Sequence, residues 1–464
     1  MTDNERVEPC PPQAVWCLLA DSSGSARELL DGLRDRKLGV SVTDGPQPGP
    51  GLVILGRQLD ALDVLAGTGT MDLGRIAAWA PGAPVEAQRE WLGRGLGDFI
   101  TSPRCTDSCG MIAARVARWF RIDELVLRFR SRVVGDSPAL RDALRDAVEC
   151  GAFGRQPIVL QGDSGVGKEL FAKIIHEVDP EYSRGPLRVL DCATVNADLS
   201  GSEFFGHERG AFTGAVNERD GAFAEANGGM LFLDEIGELP PRLQAELLRV
   251  VQERTFKRVG SNAWQRSTFR LVCATHRDLK TEVAESRFRL DFYFRLAGST
   301  CRIPSLSERP ADVLPLAAHF LKLRFGRDAP EMTRAFGTHL LARSYPGNVR
   351  ELRQLVDGCA MNWPGAGPLD LGCLPRAELA CSGRSSAADL PGSIARLVRS
   401  GHDLAGIHAE VKRAVYDAII AEVGEDTARI SERLGVHKRT VQLELRDRRP
   451  ARLSESEQSP GVLA

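Results

Sequence analysis

Two carboxylates side by side at the end of an apolar run are costly unless something uses them. In GGMLFLDEIGELP the run ends in Asp234 and Glu235. Asp234 can hold Mg2+ through water, and Glu235 can polarise a water for attack on a γ-phosphate. Their partner stands earlier, in PIVLQGDSGVGKELFAKIIH: an apolar strand, a glycine-rich turn and a helix. The turn comprises Gly162, Asp163, Ser164, Gly165, Val166, Gly167, Lys168 and Glu169. Its glycines let backbone N–H groups curl onto phosphate oxygens, the helix aims its positive end at the same place, and Lys168 adds a mobile cation. The generic motif follows its lysine with Ser or Thr. Here Glu169 follows, and on that count alone the turn reads equally as a plain connection. Joined to Asp234 and Glu235, it predicts an ATP site. The competing reading of the carboxylates is a cap on the helix after Pro240.

Three further groups fit the same chemistry. FRLVCATHRDL places Thr275 and His276 at the end of another apolar run, where a polar pair can touch the γ-phosphate or the attacking water. SRFRLDFYFRL sets Arg289 and Arg295 six residues apart among aromatics. Such arginines are usually a solvated face, but in a ring ATPase they can reach a neighbour's γ-phosphate. YPGNVRELRQL puts Arg350 on a helix after a Pro-Gly turn, a position from which a helical lid can sense nucleotide. One loop fits none of these roles. In GHERGAFTGA, Phe212 and Thr213 lie between Gly210 and Gly214. Glycine brackets suit a tight, hinged loop, and an exposed aromatic on such a loop is built to bind a partner in only some conformations.

These residues need strands and helices to carry them. At 464 residues the chain is too long for one ordinary domain. Residues 14 to 120 alternate short apolar runs (AVWCLLA, VSV, LVIL, IAAW, DFI) with helical stretches, which predicts a small parallel α/β domain. A connector, IDELVLRFRSRVVGDSP, leads into a second α/β region, helices follow from 310, and AELACSGRSSAADLPGS reads as a flexible linker. The expected architecture is multidomain α/β. An N-terminal α/β domain spans 1–124, an α/β ATPase 125–309, a helical lid 310–375, the linker 376–393, an all-α helix-turn-helix domain 394–450 and a disordered tail 451–464. The N-terminus has no basic stretch followed by an apolar core, and no run of about 18 apolar residues occurs, so neither secretion nor a membrane span is expected. Eleven cysteines lack metal-type pairs, Cys105 and Cys109 being the only close couple, which points to reduced thiols in a cytoplasm.

The last segment, IHAEVKRAVYDAIIAEVGEDTARISERLGVHKRTVQLELRDRRPAR, reads as three helices with a turn at Gly435 between the last two. The whole chain has a net charge of −2, yet residues 427 to 452 carry eight Lys or Arg against three Asp or Glu. Phosphate binding needs such a concentration. Lys438, Arg439 and Gln442 would face a groove of double-stranded DNA, while Val441 and Leu445 pack inward. Glu444 is out of character for a reading helix.

GDSGVGKE, SEFFGHERGAFTGA, GGMLFLDEIGELP, FRLDFYFRL and YPGNVREL follow one another in the order and spacing of the central AAA+ domain of bacterial sigma-54-dependent transcription activators. The chain resembles that family over about residues 133 to 370. The GAFTGA segment is highly specific to it, and the glutamate after the P-loop lysine fits its pattern. The resemblance implies ATP and Mg2+ as cofactors and Arg289 and Arg295 acting in trans, which in turn implies a hexameric ring; palindromic enhancer sites suit a dimer at rest. It implies that Gly210, Ala211, Phe212, Thr213, Gly214 and Ala215 contact sigma-54 of the RNA polymerase and convert hydrolysis into opening of the promoter complex. The C-terminal helices resemble the family's Fis-type DNA-binding module. Three positions depart from the commonest pattern. Asp191 stands where the family usually has an asparagine that holds the catalytic glutamate in an inactive pose, so an ionised Asp191 is expected to repel Glu235. His276 replaces a frequent Asn, and Tyr345 a frequent Trp.

Residues 14 to 120 resemble a response-regulator receiver in strand order. A working receiver takes phosphate on an aspartate ending its third strand, helped by an acidic pair after the first strand and a lysine after the fifth. Here Gly56 stands at the acceptor position, only Asp21 of the acidic pair remains, and Ser102 replaces the lysine. The expectation is a degenerate receiver-like domain that regulates by docking or ligand binding, not by phosphotransfer. Some relatives with such receivers respond to cyclic di-GMP beside the ATP site. RFRS, with Arg128 and Arg130, together with Arg184 offers cations for two phosphates, ordinary connector arginines being the alternative. The function expected is a cytoplasmic, ATP-dependent activator of sigma-54 transcription. Its rival is a DNA-binding repressor or scaffold with a vestigial ATPase, which the presence of Lys168, Asp234, Glu235, Arg289 and Arg295 opposes.

Overall fold

The computed structural model describes residues 14–20, 23–45, 47, 49–55, 62–63, 73–194 and 200–381, and near the C-terminus residues 411–412, 415–416, 419, 427–434, 438 and 441. The chain divides into two compact units, the first ending at Leu374 and the second beginning at Pro375.

The five apolar runs of the N-terminal region form β1 (Ala14–Leu19), β2 (Gly39–Val42), β3 (Gly51–Ile54), β4 (Ile76–Trp79) and β5 (Asp98–Ile100). They pair in parallel in the order β2-β1-β3-β4-β5, the doubly wound order expected of a receiver-like domain. Every residue of β3 and β4 is buried, as a parallel sheet covered on both faces requires. One face packs Leu29, Leu33, Ile112 and Val116, and the other Trp91, Leu96 and Phe99. Asp21 and Gly56 lie outside the described residues. Ser102 follows β5, and its carbonyl accepts from Ser108 Oγ (3.1 Å), which in turn accepts from Trp79 Nε1 (3.0 Å).

The expected boundary at residue 124 falls inside a single helix, Cys105–Phe129. The reason is in its apolar spacing. Cys109, Ile112, Val116 and Trp119 enter the first domain's core, while Ile122, Leu125 and Phe129 continue the same stripe into the core of the next. One helix serves two hydrophobic cores, so the connector begins only after Phe129.

The second sheet contains β6 (Ile158–Gln161), β7 (Leu187–Asp191), β10 (Met230–Asp234), β13 (Arg270–Thr275) and β14 (Ser299–Arg302). It is all parallel, in the order β14-β6-β13-β10-β7. Two short antiparallel pairs stand apart from it, β8 (Gly206–His207) with β9 (Arg219–Asp220) and β11 (Thr255–Phe256) with β12 (Gln265–Arg266). In β10, Met230 to Leu233 are fully buried, each large side chain contributing about 1.5–3 kcal/mol. The helical lid follows, with helices Val313–Phe325, Arg334–Ala342 and Asn348–Asn362 around a core that includes Phe320, Phe336, Leu352 and Val356.

In the second unit, Tyr416, Ile430 and Val441 form a small buried cluster with Ile419 and Leu434 against it, and a helix spans Thr427–Leu434. Val441 is inward, as expected, and Lys438 is exposed. Arg439, Gln442, Glu444 and Leu445 lie outside the described residues, as do 382–393 of the expected linker and the tail 451–464. Among the described residues no helix is long and apolar enough to cross a membrane.

Candidate functional site

β6, β13 and β10 are neighbours, so their C-terminal tips converge where ligands bind in parallel sheets. The glycine-rich turn leaves β6 and is tied to β13 by Gly162 N donating to Thr275 O (3.1 Å). Lys168 opens the following helix, Lys168–Val178, and is only 6% exposed. Its Nζ donates to Gly162 O and to Glu235 Oε1, both at 3.0 Å. Glu235 sits in the left-handed region at φ 49°, a conformation that costs a non-glycine residue about 1–2 kcal/mol. That bend turns its carboxylate back over the loop.

Glu235 has a second partner. His276 Nδ1 lies 2.7 Å from Oε2. Burial works to raise the Glu235 carboxyl, but the hydrogen bonds from His276 and Lys168 outweigh it and hold the group below its ordinary value. Asp234 moves the other way. Burial, and then the charge of Glu235, push its carboxyl up against the opposing bond from Glu235 N, which donates to Asp234 Oδ1 at 3.0 Å. The residue lines the cleft beside Lys168 and Glu235.

The remaining residues sort clearly. Asp191 pairs with Asp234 in register, but its side chain is exposed and accepts from Ala193 N (2.9 Å) within its own turn. The expected repulsion falls on the neighbouring carboxyl: Asp191 caps a local turn and has no described contact with Glu235, and its charge adds to those that push Asp234 up. Thr275 is fully buried and its hydroxyl accepts from Arg277 N (3.0 Å), so His276, not Thr275, meets the Glu235 carboxylate. The lid closes the other side: Val349 N donates to Gly165 O (3.1 Å), Asn348 Nδ2 to Ser164 O (3.0 Å) and Arg350 Nη1 to Ser164 Oγ (3.4 Å). The resulting cleft of about 410 Å³ is lined by Ser164, Lys168, Glu169, Asp234, Glu235 and Arg350. Arg289 stands at the N-cap of the helix Leu290–Leu296 and Arg295 in its last turn, both exposed, and Arg289 binds Asp291 (2.8 Å). Neither has a described contact with Lys168 or Glu235. Of the connector cations, Arg130 pairs with Asp136, Arg128 stands over the ring of Phe129 at 5.2 Å, and Arg184 is exposed.

The segment Gly206–Ala215 begins with β8, and the loop after it leads back to β9. Gly210 and Gly214 both have positive φ, at 79° and 103°, with open space where a Cβ would be. Conformation, not crowding, demands glycine there. Gly210 N donates to Ala215 O (2.8 Å), closing the loop. Phe212 is 37% exposed, its ring 5.0 Å from that of His207. Beneath it lies a cavity of about 770 Å³, larger than the nucleotide cleft and lined in part by Phe205, Phe212, Leu243, Phe256 and Trp264. Arg249 and Lys257 lie over the Trp264 ring at 4.9 and 4.7 Å, cation–π contacts that fix an exposed indole. Sequence reasoning passed over Trp264, although a lone tryptophan in the polar stretch SNAWQ was a signal of a surface built for contact.

Residues 133–302 match the sigma-54 interaction domain, and 307–383 match the AAA+ ATPase lid domain. The chain is 36% identical over 365 residues to the transcriptional regulatory protein ZraR of Klebsiella oxytoca, covering 77% of this chain and 79% of that one. With ZraR of Escherichia coli K12 it shares 35% over 394 residues, 80% and 84% of the two chains. With the Nif-specific regulatory protein of Azotobacter vinelandii it shares 45% over 236 residues, 50% and 45% of the two. The fold is like that of NtrX from Brucella abortus, with a TM-score of 0.50 and 24% identity over 94% of this chain and 100% of that one. A phosphate loop, paired carboxylates and a nucleotide-facing lid, set in a sequence more than a third identical to ZraR across most of both chains, place this protein in the sigma-54-interacting AAA+ family of ATP-dependent transcription activators.

Proposed function

We propose that ATP binds between the phosphate loop and the lid, and that its hydrolysis moves the Gly206–Ala215 loop against sigma-54. The observation that carries this reading is the ion pair between Lys168 and Glu235. In this pair the cation of the loop and the general base hold one another. A γ-phosphate offers Lys168 a partner of higher charge, so binding frees Glu235 to orient the attacking water. Asp234 suits a hard divalent cation held through water, because only one of its carboxylate oxygens accepts from Glu235 N and the residue lines the cleft. Mg2+ there supplies positive charge to the phosphate oxygens, and Arg350 senses the nucleotide from the lid. Arg289 and Arg295, exposed and away from their own Glu235, complete a neighbour's site in a ring of copies.

At the far end of the machine, Phe212 and Thr213 make the sigma-54 contact, supported by the aromatic cavity behind them. Lys438, Arg439 and Gln442 read the enhancer DNA. Arg128, Arg130 and Arg184 are the cations offered to cyclic di-GMP, and of these Arg130 already holds Asp136. A repressor with a vestigial ATPase would have no need to keep Lys168, Glu235 and the lid contacts assembled. The test is ATP turnover and promoter opening by the full chain on a sigma-54 promoter with sigma-54 polymerase. Opening that requires hydrolysable ATP is expected, and opening with a non-hydrolysable analogue overturns the reading.

A further inference from the structure

The route from the N-terminal domain to the ATPase passes through Gly135, Asp136 and Ser137, and there the chain meets a buried carboxylate of the lid. Asp312 is 1% exposed and accepts three hydrogen bonds, from Asp136 N (2.7 Å), Ser137 N (3.0 Å) and Ser137 Oγ (2.6 Å). Gly135, at φ 123°, approaches so closely that a Cβ would fall 2.5 Å from the Asp312 carboxyl carbon. On its other side Asp312 faces Arg309, 3% exposed, at 4.0 Å. Arg309 Nη2 reaches across to donate to Val166 O in the phosphate loop at 3.1 Å.

The same helix start is tied to the regulatory side. Ser137 caps the helix Pro138–Phe153, accepting from Leu140 N (3.4 Å). That helix carries Arg145 and Glu149, which bind Asp123 (2.6 Å) and Arg118 (2.7 Å) on the long helix from the first domain. Asp123 also pairs with Arg75, just before β4. One rigid helix therefore holds the N-terminal domain through Arg145 and presents its N-terminus to Asp312.

A buried ion pair is a poor fastener, since an apolar pair of similar volume holds as well or better. A guanidinium bonded to Val166 O does something an apolar pair cannot. It fixes the direction of a peptide in the turn whose N–H groups must face phosphate. We propose that Arg309 is a positioning residue of the phosphate loop, and that Asp312 makes its hold depend on the connector, so that displacement of the N-terminal domain changes the affinity for ATP. This rests on the ATP-site reading above.

The test uses the full chain, with ATP turnover and the Kd of a fluorescent ATP analogue measured for Arg309→Lys, Asp312→Asn, Asp123→Asn and the double Asp123→Asn/Asp312→Asn. Arg309→Lys is expected to raise KM and Kd about tenfold while kcat at saturation changes by less than about twofold. Each aspartate variant is expected to weaken binding about fivefold, with the double no weaker than the worse single, as one shared route requires. Effects that multiply in the double variant mean two independent structural contacts and overturn the proposal, as does an unchanged Kd in Arg309→Lys. If Asp312→Asn fails to fold, Ser137→Ala takes its place in the cycle, because it leaves both backbone bonds to Asp312. Lys168→Ala separates the two readings. Retained analogue binding in Lys168→Ala sinks the ATP site itself and the proposal with it. Lost binding there, beside an unaffected Arg309→Lys, sinks the relay alone.

Discussion

The first domain and the ATPase are built on the same plan and differ at their strand tips. Each has five parallel strands, buried central strands and helices on both faces. In the ATPase, β6 runs into a phosphate loop, β10 ends in Asp234 and is followed by Glu235, and β13 ends beside His276. The three tips are joined by short polar contacts centred on one carboxylate. In the first domain, β5 ends beside Ser102, whose carbonyl is engaged by Ser108, itself bound by the buried Trp79 indole. A parallel sheet delivers a place for chemistry; the residues just past each strand decide whether any occurs.

The largest effects should come from the tips of the second sheet. Lys168→Ala should abolish nucleotide binding, because it removes the loop's only buried cation among the residues that line the cleft. Glu235→Gln should keep ATP bound and slow its hydrolysis by about 10²–10⁴, the range for loss of general acid–base assistance. Isothermal titration and phosphate release separate the two. A Glu235→Gln chain that turns over at the wild-type rate would remove that residue from the base's role.

Next in size is the loss of coupling. Thr213→Ala and Phe212→Ala lie outside the cleft, so ATPase activity should stay within about twofold while promoter opening fails. Opening measured by permanganate reactivity at the promoter, alongside ATPase in the same tube, checks this. Loop variants that still open DNA would confine the action to the cleft.

A smaller effect probes the contact between β13 and β10. The hydrogen bond from His276 helps lower the Glu235 carboxyl, so the glutamate stays ionised to lower pH than an ordinary one. His276→Ala should let that group rise, moving the acid limb of the kcat/KM profile to higher pH. Near neutrality, where Glu235 is ionised either way, the loss should be only a few-fold. An acid limb that does not move means the His276–Glu235 pair is broken throughout turnover.

Sequence made the local features legible and the long-range ones not. The P-loop, the Asp234-Glu235 tip and the GNVREL turn are each written in consecutive residues, and apolar runs marked all five strands of the first sheet. The helix Cys105–Phe129 was cut at the wrong place because its stripe crosses two cores without a break in period. Asp191 stands where the family usually has an asparagine beside the glutamate, which suggests repulsion, whereas a backbone N–H two residues on holds its side chain. Arg309 and Asp312 gave no signal at all. Their partners lie 143 and 175 residues away, and SERPAD reads as an ordinary charged turn.

The smallest expected effect is none at all, and it tests the comparison from the first domain's side. Incubated with radiolabelled acetyl phosphate, the chain should take up no stable label on residues 14–120. A receiver's phosphoryl group needs a carboxylate nucleophile, acidic ligands for a divalent cation and a cation to neutralise the product. Here Gly56 has no side chain, Asp21 stands without an acidic neighbour, and Ser102 carries no charge. Restoring the nucleophile alone should change nothing. In Gly56→Asp the new carboxylate would still lack the second acid and the lysine. The Ser102 carbonyl, in turn, stays committed to Ser108 and through it to Trp79. Stable labelling of wild type would show a nucleophile elsewhere in the domain. Labelling of Gly56→Asp alone would show that the geometry of a phosphate site outlived its chemistry, and that the two sheets differ by one residue instead of by a whole set of strand tips.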